Sequence, residues 1–268
     1  MNSSTATRID HIPSADGTLI ACERSGSGPT LIVVNGALSD RSVVTGLRPY
    51  LDDRLTVIGY DRRGRGDSGD SAEYAPEREM DDLAAVVSAS GGPAFVFGHS
   101  GGAILALEAA LRGLPVSKLA LNEPPYIPEG TRPRPSADLA ARLGRLTDAG
   151  DREAALHLFL TDGTGLPEEA IGGLRASPAW PRMLGLAATV RYDAAVAGRC
   201  ELPSVERLAT FATPTLVLQG GATLPWIKRG TAALAKSLPN ARLGVLRGQQ
   251  HNPAPDVLAD ALLGFFAS

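Results

Sequence analysis

The stretch that decides the fold is AFVFGHSGGAILAL, residues 94–107. Its first apolar run predicts a buried strand, and the apolar run after the glycines predicts a helix. Between them, GHSGG has the G-x-S-x-G spacing, which places a serine on a sharp strand-to-helix turn with its Oγ exposed above a sheet. Glycines at 98 and 102 let strand and helix nearly touch, and the helix N-terminus offers N–H groups to a developing anion. The motif therefore predicts Ser100 as a nucleophile.

Apolar runs alternate with helical patterns along most of the chain, which predicts an α/β domain. We expect strands at 9–13, 19–24, 31–34, 56–60, 94–98, 119–122, 215–219 and 242–246, and helices at 45–51, 77–89, 103–112, 225–238 and 256–266. Asp16-Gly17 between the first two strands favours a hairpin. The later strands are almost continuously apolar, which is typical of a parallel sheet covered on both faces. The pattern predicts a mixed, doubly wound sheet.

The segment 124–208 interrupts this alternation. It contains no convincing strand, and helical patterns occur at 137–149, 152–160, 167–176, 181–197 and near 205. Five prolines between 124 and 135 mark where the chain leaves the sheet. We expect a core formed by residues 1–123 and 209–268 and an inserted helical cap at 124–208. The alternative is that these helices simply pack on the sheet.

Length and charge exclude several classes of protein. The 268 residues suit one α/β domain with an insertion, and the net charge is −3. Without an extended basic face, nucleic acids and anionic membranes are poor partners, and no apolar run approaches the roughly 18 residues of a membrane span. Residues 1–8 lack the apolar core of a secretory signal. We therefore expect a cytoplasmic protein with a small-molecule substrate, no nucleic-acid or membrane partner, and reduced thiols at Cys22 and Cys200.

A serine nucleophile needs a neighbouring base at neutral pH. Of the four histidines, His251 is the best candidate, because it follows the last strand at the end of the sheet where Ser100 should lie. His99 lies within the turn and is expected to be structural, and His11 is expected on the surface. His157 lies on an inserted helix, where it would either line the pocket or be packed or solvated.

The acid that should orient His251 is less obvious. The loop after strand 215–219 contains no Asp or Glu, but Glu123 stands at the end of strand 119–122. Its position gives the chain order Ser100, Glu123, His251, which is nucleophile, acid and base. The alternatives are a strand-end carboxylate paired with an arginine, Asp193 on an inserted helix as the acid, or no acid at all.

An oxyanion site requires two N–H donors that point at one position. The Gly101 N–H, directly after the serine, is one candidate. The Ala37 N–H is the other, in the loop after strand 31–34, where Gly36 allows a close approach; the alternative is an ordinary turn. We find no cluster with metal-ligand spacing and no dinucleotide fingerprint, so we expect neither metal nor cofactor.

The densest run of charge is DRRGRGDS at 61–68. Its acids nearly balance its arginines, and its glycines do not begin a helix as a phosphate-binding loop requires. We interpret it as a structural loop with internal ion pairs rather than as a phosphate site.

Together these features resemble the α/β-hydrolase superfamily, over nearly the whole chain. The resemblance rests on Asn35-Gly36, on the run 61–68, on the turn around Ser100 and on His251 before the last helix. It is strongest to small bacterial serine hydrolases with Glu-Pro-Pro after strand six. It implies an eight-stranded, mostly parallel sheet with strand two antiparallel, helices on both faces and a helical cap. It also implies Ser100 as nucleophile, His251 as base, and Gly101 and Ala37 as oxyanion donors.

Two features depart from the superfamily pattern. Many members have histidine where Asn35 stands, and the usual aspartate after strand seven is absent. The missing aspartate means that the acid is either shifted to Glu123 or lacking. A serine at position 100 rather than an aspartate argues against haloalkane or epoxide chemistry.

These observations favour a serine hydrolase that cleaves a small ester, lactone or thioester through an acyl-serine intermediate. The side chains expected to shape its pocket are Asn35, Tyr126, His157, Phe159, Trp180, Met183, Tyr192 and Trp226, although the aromatic ones suit core packing equally well. One alternative is a non-hydrolytic biosynthetic enzyme on the same fold, performing acyl transfer, cyclisation, isomerisation or cofactor-free decarboxylation. The other is a non-catalytic ligand-binding protein.

Overall fold

The computed structural model describes residues 8–267, and these contain one eight-stranded sheet. Strands β1 to β8 span Ile9–Pro13, Leu19–Gly26, Thr30–Val34, Thr56–Tyr60, Ala94–His99, Val116–Asn122, Thr215–Gly220 and Ala241–Leu246. Their order is β1-β2-β4-β3-β5-β6-β7-β8. Strand β2 is antiparallel to both of its neighbours, and the other pairs are parallel. The predicted mixed sheet is confirmed; residues 1–7, on which the expected lack of a secretory signal depends, lie outside the described residues.

Eleven α-helices occur within residues 8–267, and only helices lie between β6 and β7. Helices α1 to α11 span Arg48–Leu51, Pro76–Ala89, Gly101–Leu111, Leu139–Asp148, Arg152–Leu158, Glu168–Arg175, Trp180–Leu186, Val190–Ala197, Val205–Ala209, Pro225–Ser237 and Pro255–Phe266. The single helix predicted at 181–197 is wrong, because a 3₁₀ turn at Ala187–Thr189 divides it. The Thr189 hydroxyl donates to the Leu186 carbonyl at 2.9 Å within this turn.

Alternate residues of each central strand enter different cores, as a sheet covered on both faces requires. In β5, Val96 belongs to the core beneath α2, α3 and α10. Its neighbour Phe97 belongs to the core beneath α1 and α11. The two apolar layers hold the sheet rigid, so that the loops at the carboxyl ends of the parallel strands have fixed positions.

The inserted helices share a third apolar cluster. Its buried members come from α4 to α8 and from the turns that join them, and none lies on a strand of the described residues. Ala37 and Leu38, in the loop after β3, pack against this cluster. The helices therefore have a core of their own that contacts the loop predicted to supply an oxyanion donor. The division of the chain at 124 and 208 stays a prediction.

The arginines of the run 61–68 are buried and pair outside that run. Arg62 donates from Nε and Nη2 to Glu79 on α2, at 2.5 and 2.7 Å. Arg63 donates to Asp82 on the same helix, at 2.8 and 2.6 Å. Arg65 turns the other way, to the inserted helices. These contacts fit the expected structural role of the run. The prediction that its ion pairs lie within the run is wrong.

The glycines of this run form a tight turn, and the arginine side chains extend away from that turn. Gly64 and Gly66 have φ values of +74° and +51°, which folds the run into a tight turn. A Cβ on Gly66 would lie 2.1 Å from the Asp61 carboxylate, so that carboxylate fills the inside of the turn. The Asp61 carboxylate is bound there by Arg41 and by the Asp67 N–H.

Two further sequence expectations concern cysteines and membranes. Cys22 and Cys200 are both buried and free, as predicted. Burial raises the pKa of the Cys22 thiol to about 12 and that of Cys200 to about 11, which keeps both protonated and unreactive at neutral pH. Within residues 8–267, no helix combines the length and the apolar character needed to cross a membrane.

Candidate active site

Ser100 lies on a strained turn between β5 and α3. Its φ and ψ are +54° and −125°, a conformation that a non-glycine residue adopts only when the surrounding structure imposes it. A Cβ on Gly98 would lie 2.6 Å from the Ala103 Cα, and one on Gly102 would lie 2.3 Å from the Val34 carbonyl oxygen. Strand and helix are thus too close for any side chain at either position, as the sequence predicted.

The two predicted oxyanion donors are close to this serine. Ala37 and Gly101 both line the same cavity as Ser100. Neither backbone N–H donates a hydrogen bond to any other described residue. An ideal Cβ on Gly36 would lie 3.1 Å from the Ser100 Cβ, so the loop after β3 packs directly against the serine. Two unengaged N–H groups therefore lie beside the candidate nucleophile.

His251 and Glu123 form a hydrogen-bonded pair. The His251 Nδ1 lies 2.7 Å from the Glu123 Oε2, and the Glu123 side chain is fully buried. Two other groups donate to the same carboxylate, the Gly220 N–H to Oε1 at 2.6 Å and the Thr223 hydroxyl to Oε2 at 3.0 Å. Both donors belong to the end of β7 and the loop that follows. The loop after β7, which contains no Asp or Glu, thus binds the Glu123 carboxylate at the end of the neighbouring strand β6.

The backbone directs Glu123 into this position. Its N–H donates to the Leu218 carbonyl at 3.0 Å, which continues the pairing of β6 with β7. Its φ is +47°, and a glutamate in this left-handed region indicates that the tertiary contacts over-determine the conformation. The carboxylate is therefore held at the end of β6 on the side of β7 and His251.

His99 supports the loop that carries His251. Its Nδ1 accepts from the Asn122 amide at 2.9 Å, and its Nε2 donates to the Asn252 Oδ1 at 3.1 Å. Burial lowers the pKa of the His99 imidazole to about 3, and the nearby His251 acts in the same direction. A neutral His99 fits both hydrogen bonds. Asn122 also donates to the His251 carbonyl at 3.3 Å, so these side chains fix the loop that carries the candidate base.

Sequence reasoning did not single out Asn122, Asn252 or Thr223 as site residues. Each is adjacent to a predicted site residue or lies in a strand-end loop, so its position at the carboxyl end of the sheet was the available signal. Their individual roles depend on contacts between β5, β6 and the last two loops, which a local pattern does not contain.

A cavity of about 520 Å³ lies above Ser100, within the range typical of small-molecule sites. Ser100 and His251 both line it, together with apolar side chains from the inserted helices and from the loop after β7. Among the described residues that line it, no lysine or arginine occurs, and Asp193 is the one carboxylate. Within residues 8–267, no group of three or more His, Cys, Asp or Glu side chains is placed to hold a metal ion.

The aromatic lining differs from the expectation. Trp226 and Phe159 line the cavity. Tyr126 does not, because it is buried in the core beneath α3. Trp180 and Met183 do not line it either, because both pack in the apolar cluster of the inserted helices. Core packing rather than a pocket role explains all three.

The polar residues expected in the pocket also lie elsewhere. Asn35 is buried and donates to the Tyr60 carbonyl at 3.3 Å. His157 is bonded to Glu168 at 3.0 Å on the surface of the inserted helices. Tyr192 stacks on another tyrosine ring at a centroid distance of 3.8 Å. None of these three lines the cavity, because each side chain has a partner away from it.

The comparison with protein families decides the classification. A family model described as the alpha/beta hydrolase family matches residues 31–261. The chain belongs to the α/β hydrolase family. This α/β hydrolase is similar to the crystal structure of an α/β hydrolase from Sphaerobacter thermophilus, with 47% identity and a TM-score of 0.91. That match covers 96% of this chain and 100% of the other.

Two curated relatives of this α/β hydrolase carry hydrolase names. An uncharacterized hydrolase, YraK, from Bacillus subtilis is 32% identical over 100 residues, which cover 36% of this chain and 37% of that protein. A 2-(acetamidomethylene)succinate hydrolase from Mesorhizobium japonicum is 36% identical over 107 residues, 38% of each chain. Each alignment thus spans less than two fifths of the curated relative.

Proposed function

We propose that this α/β hydrolase is a serine hydrolase that cleaves a small, uncharged ester, lactone or thioester through an acyl-serine intermediate. The observation that carries the proposal is the 2.7 Å contact between His251 Nδ1 and the buried Glu123 carboxylate. A hydrogen bond at Nδ1 leaves Nε2 as the proton acceptor, which is the arrangement that activates a serine. His251 and Ser100 line the same cavity.

Each step of the reaction has a residue to perform it. Ser100 Oγ attacks the substrate carbonyl while His251 Nε2 takes the serine proton. The imidazolium, stabilised by the Glu123 carboxylate, returns that proton to the leaving alcohol or thiol as the tetrahedral intermediate collapses. His251 then takes a proton from water, which attacks the acyl-serine, and returns that proton to Ser100 Oγ as the acid is released. The Gly101 and Ala37 N–H groups stabilise the oxyanion in both halves of the reaction.

The cavity supports an uncharged substrate. Its lining among the described residues is largely apolar and has no lysine or arginine, so a carboxylate group on the substrate would lose its hydration without gaining a lysine or arginine partner. The succinate named for the Mesorhizobium relative is an anion, and that substrate class does not suit this lining. A short or medium acyl chain packed on Phe159, Trp226 and Ile227 does.

The inserted helices act as the cap in this proposal. Residues of this segment, including Leu139, Phe159 and Ala194, contribute one side of the cavity, and their shared apolar cluster allows them to pack as a unit. A cap of this kind limits the access of bulk water to the site and selects the acyl group. The cytoplasmic location stays a prediction.

Labelling with a fluorophosphonate probe tests the activated serine. We expect the wild-type protein to be labelled and Ser100→Ala to show no labelling, because the probe reacts with a serine that has a neighbouring base. Ser88→Ala is the matched control, since Ser88 lies exposed on α2, and it should label as the wild type does. A folded wild-type protein without labelling, or persistent labelling of Ser100→Ala, would refute the proposal.

A series of p-nitrophenyl esters then defines the reaction. We expect turnover of short and medium acyl chains, with the free acid as product. A product that instead forms only with an added alcohol or amine would identify an acyl transferase. Comparing neutral esters with a succinate half-ester tests the charge preference directly, and faster cleavage of the half-ester would contradict it.

A further inference from the structure

Arg65 lies behind the loop that carries the candidate oxyanion donor. The Arg65 side chain is fully buried, and its Nη1 donates to the Gly36 carbonyl at 2.7 Å. The same nitrogen also lies 3.3 Å from the Ser39 carbonyl oxygen. The guanidinium is therefore in contact with the backbone of the loop after β3, and Arg65 is not among the residues that line the cavity.

The geometry of one peptide unit connects this contact to the cavity. The Gly36 carbonyl and the Ala37 N–H belong to the same peptide, and no peptide in the described residues is cis. In a trans peptide these two groups point in opposite directions. A guanidinium that fixes the carbonyl oxygen therefore also fixes the direction of the N–H. That N–H has no partner among the described residues.

The charge of the guanidinium strengthens the same donor. A cation at a carbonyl oxygen polarises the amide, which makes the N–H at the other end a better donor to an anion. Arg65 is shielded from water, so this polarisation acts in a low-dielectric interior where it is large. A neutral hydrogen bond to the Gly36 carbonyl would orient the peptide without this second effect.

Asp193 holds Arg65 in place from the inserted helices. Its Oδ1 accepts from the Arg65 Nη2 at 2.6 Å and from the Arg62 Nη1 at 2.7 Å. Arg62 in turn lies 3.4 Å from the Asn35 carbonyl oxygen. One carboxylate on α8 thus binds two arginines, and these two arginines contact successive carbonyls of the loop after β3.

We propose that Arg65 is the positioning residue of the oxyanion site, with Asp193 as the anion that orients it. This inference rests on the proposed function, because it presumes that the Ala37 N–H receives an oxyanion. Arg65 does not touch the substrate, so removing its contact lowers the affinity for the transition state and leaves that for the substrate unchanged. The effect therefore appears in kcat and not in KM.

The test compares Arg65→Lys with Arg63→Lys. Lysine retains the charge but lacks the fork that reaches Gly36 and Asp193 together. Arg63 is a matched control, because it is equally buried in the same loop and bonds to Asp82 and Asp16 rather than to the loop after β3. With rates normalised to folded protein, we expect Arg65→Lys to lower kcat for a p-nitrophenyl ester by on the order of 10- to 100-fold. KM should remain within about twofold of its wild-type value.

A transition-state analogue provides a second measurement. A boronic acid inhibitor that forms a tetrahedral adduct with Ser100 should lose affinity in Arg65→Lys by the same factor as kcat/KM. Asp193→Asn keeps the shape of the side chain and should reduce kcat in the same direction, by a smaller factor. If Arg65→Lys does not fold, the kcat of Asp193→Asn tests the proposal instead.

The outcomes separate this inference from the proposed function. Wild-type protein without ester turnover or probe labelling defeats the proposed function itself. Wild-type turnover with equal kcat in the Arg65→Lys and Arg63→Lys variants overturns only the role of Arg65. A change confined to KM would also overturn it, because it would indicate a substrate contact instead of an oriented donor.

Discussion

At the scale of single residues, Glu123 combines deep burial, an unusual backbone conformation and several hydrogen bonds in the candidate site. It is fully buried, has a left-handed backbone and receives hydrogen bonds from His251, Gly220 and Thr223. A buried carboxylate requires this degree of hydrogen bonding, because an ionised group without partners is strongly disfavoured away from water. The contacts that stabilise the charge are also those that would hold it against His251.

Glu123→Gln should therefore retain the fold and lose most activity. The amide can still accept from the Gly220 N–H but cannot both accept from Thr223 and stabilise an imidazolium. We expect kcat to fall by on the order of 10⁴, the scale seen when a triad acid becomes an amide. Ester hydrolysis and circular dichroism of the variant check this. Glu129→Gln, at an exposed position, is the control, and unchanged turnover in Glu123→Gln would remove this residue from the triad.

At the scale of elements, the turn between β5 and α3 requires two residues without side chains. Gly98 meets α3, and Gly102 meets the end of β3, at distances that no Cβ tolerates. The strained Ser100 conformation is maintained because β5 packs in the cores on both faces of the sheet and α3 packs in one of them. The candidate nucleophile is thus positioned by two rigid elements rather than by a flexible loop.

Gly102→Ala should destabilise the protein by about 3 kcal/mol or more, because its Cβ would force α3 away from the β3 backbone. Gly173→Ala is the matched control, since Gly173 is an exposed glycine of α6 with open space around its Cα. That substitution should raise the free energy of unfolding by about 1 kcal/mol. Urea unfolding of both variants measures the difference, and a stable Gly102→Ala would show that the turn can open.

At the scale of the whole molecule, buried charge connects the sheet to the inserted helices. Arg62 binds Glu79 on α2 and Asp193 on α8, and Arg65 binds Asp193 and the loop after β3. Each arginine thus bridges parts of the chain that are distant in sequence. Breaking such a buried pair leaves an uncompensated charge, so the position of the inserted helices above the site is tightly specified.

Acid stability is a second property of the whole molecule. Burial holds the pKa of His99 at about 3, below its usual 6.5. Between these values the unfolded chain binds a proton at His99 and the native protein does not, so acid favours unfolding. This group alone should lower the free energy of unfolding by about 1.4 kcal/mol for each unit that the pH falls through this window. Above the usual pKa it should contribute no slope.

Urea unfolding of the wild type and of His99→Gln at several pH values tests this expectation. The variant should show a shallower decline in stability between about pH 6 and pH 4, by about 1.4 kcal/mol per pH unit. The two proteins should have parallel profiles above about pH 7, which serves as the internal control. Equal slopes throughout would mean that His99 is protonated in the native protein.

Much of the fold was predictable because its determinants are local. Glycine spacing and apolar runs are sufficient to place β5, the Ser100 turn and α3, and the strand patterns identify all eight strands to within a few residues. The division of the helix at 181–197 was not predictable, because no proline interrupts the helical pattern at Ala187–Thr189. The pocket lining was predicted poorly, since aromatic residues suit a cavity wall and an apolar core equally well.

The sequence by itself determined the sheet, the turn at Ser100 and the location of His251 at the same end of the sheet. These follow from periodicity and backbone sterics within short segments. Tertiary structure alone decided that Glu123 meets His251 across 128 positions of sequence, that Arg65 lies behind Gly36, and that Trp226 rather than Tyr126 lines the cavity. Those outcomes depend on strand order and on which surfaces of distant elements pack together, and neither is a property of any local stretch of the chain.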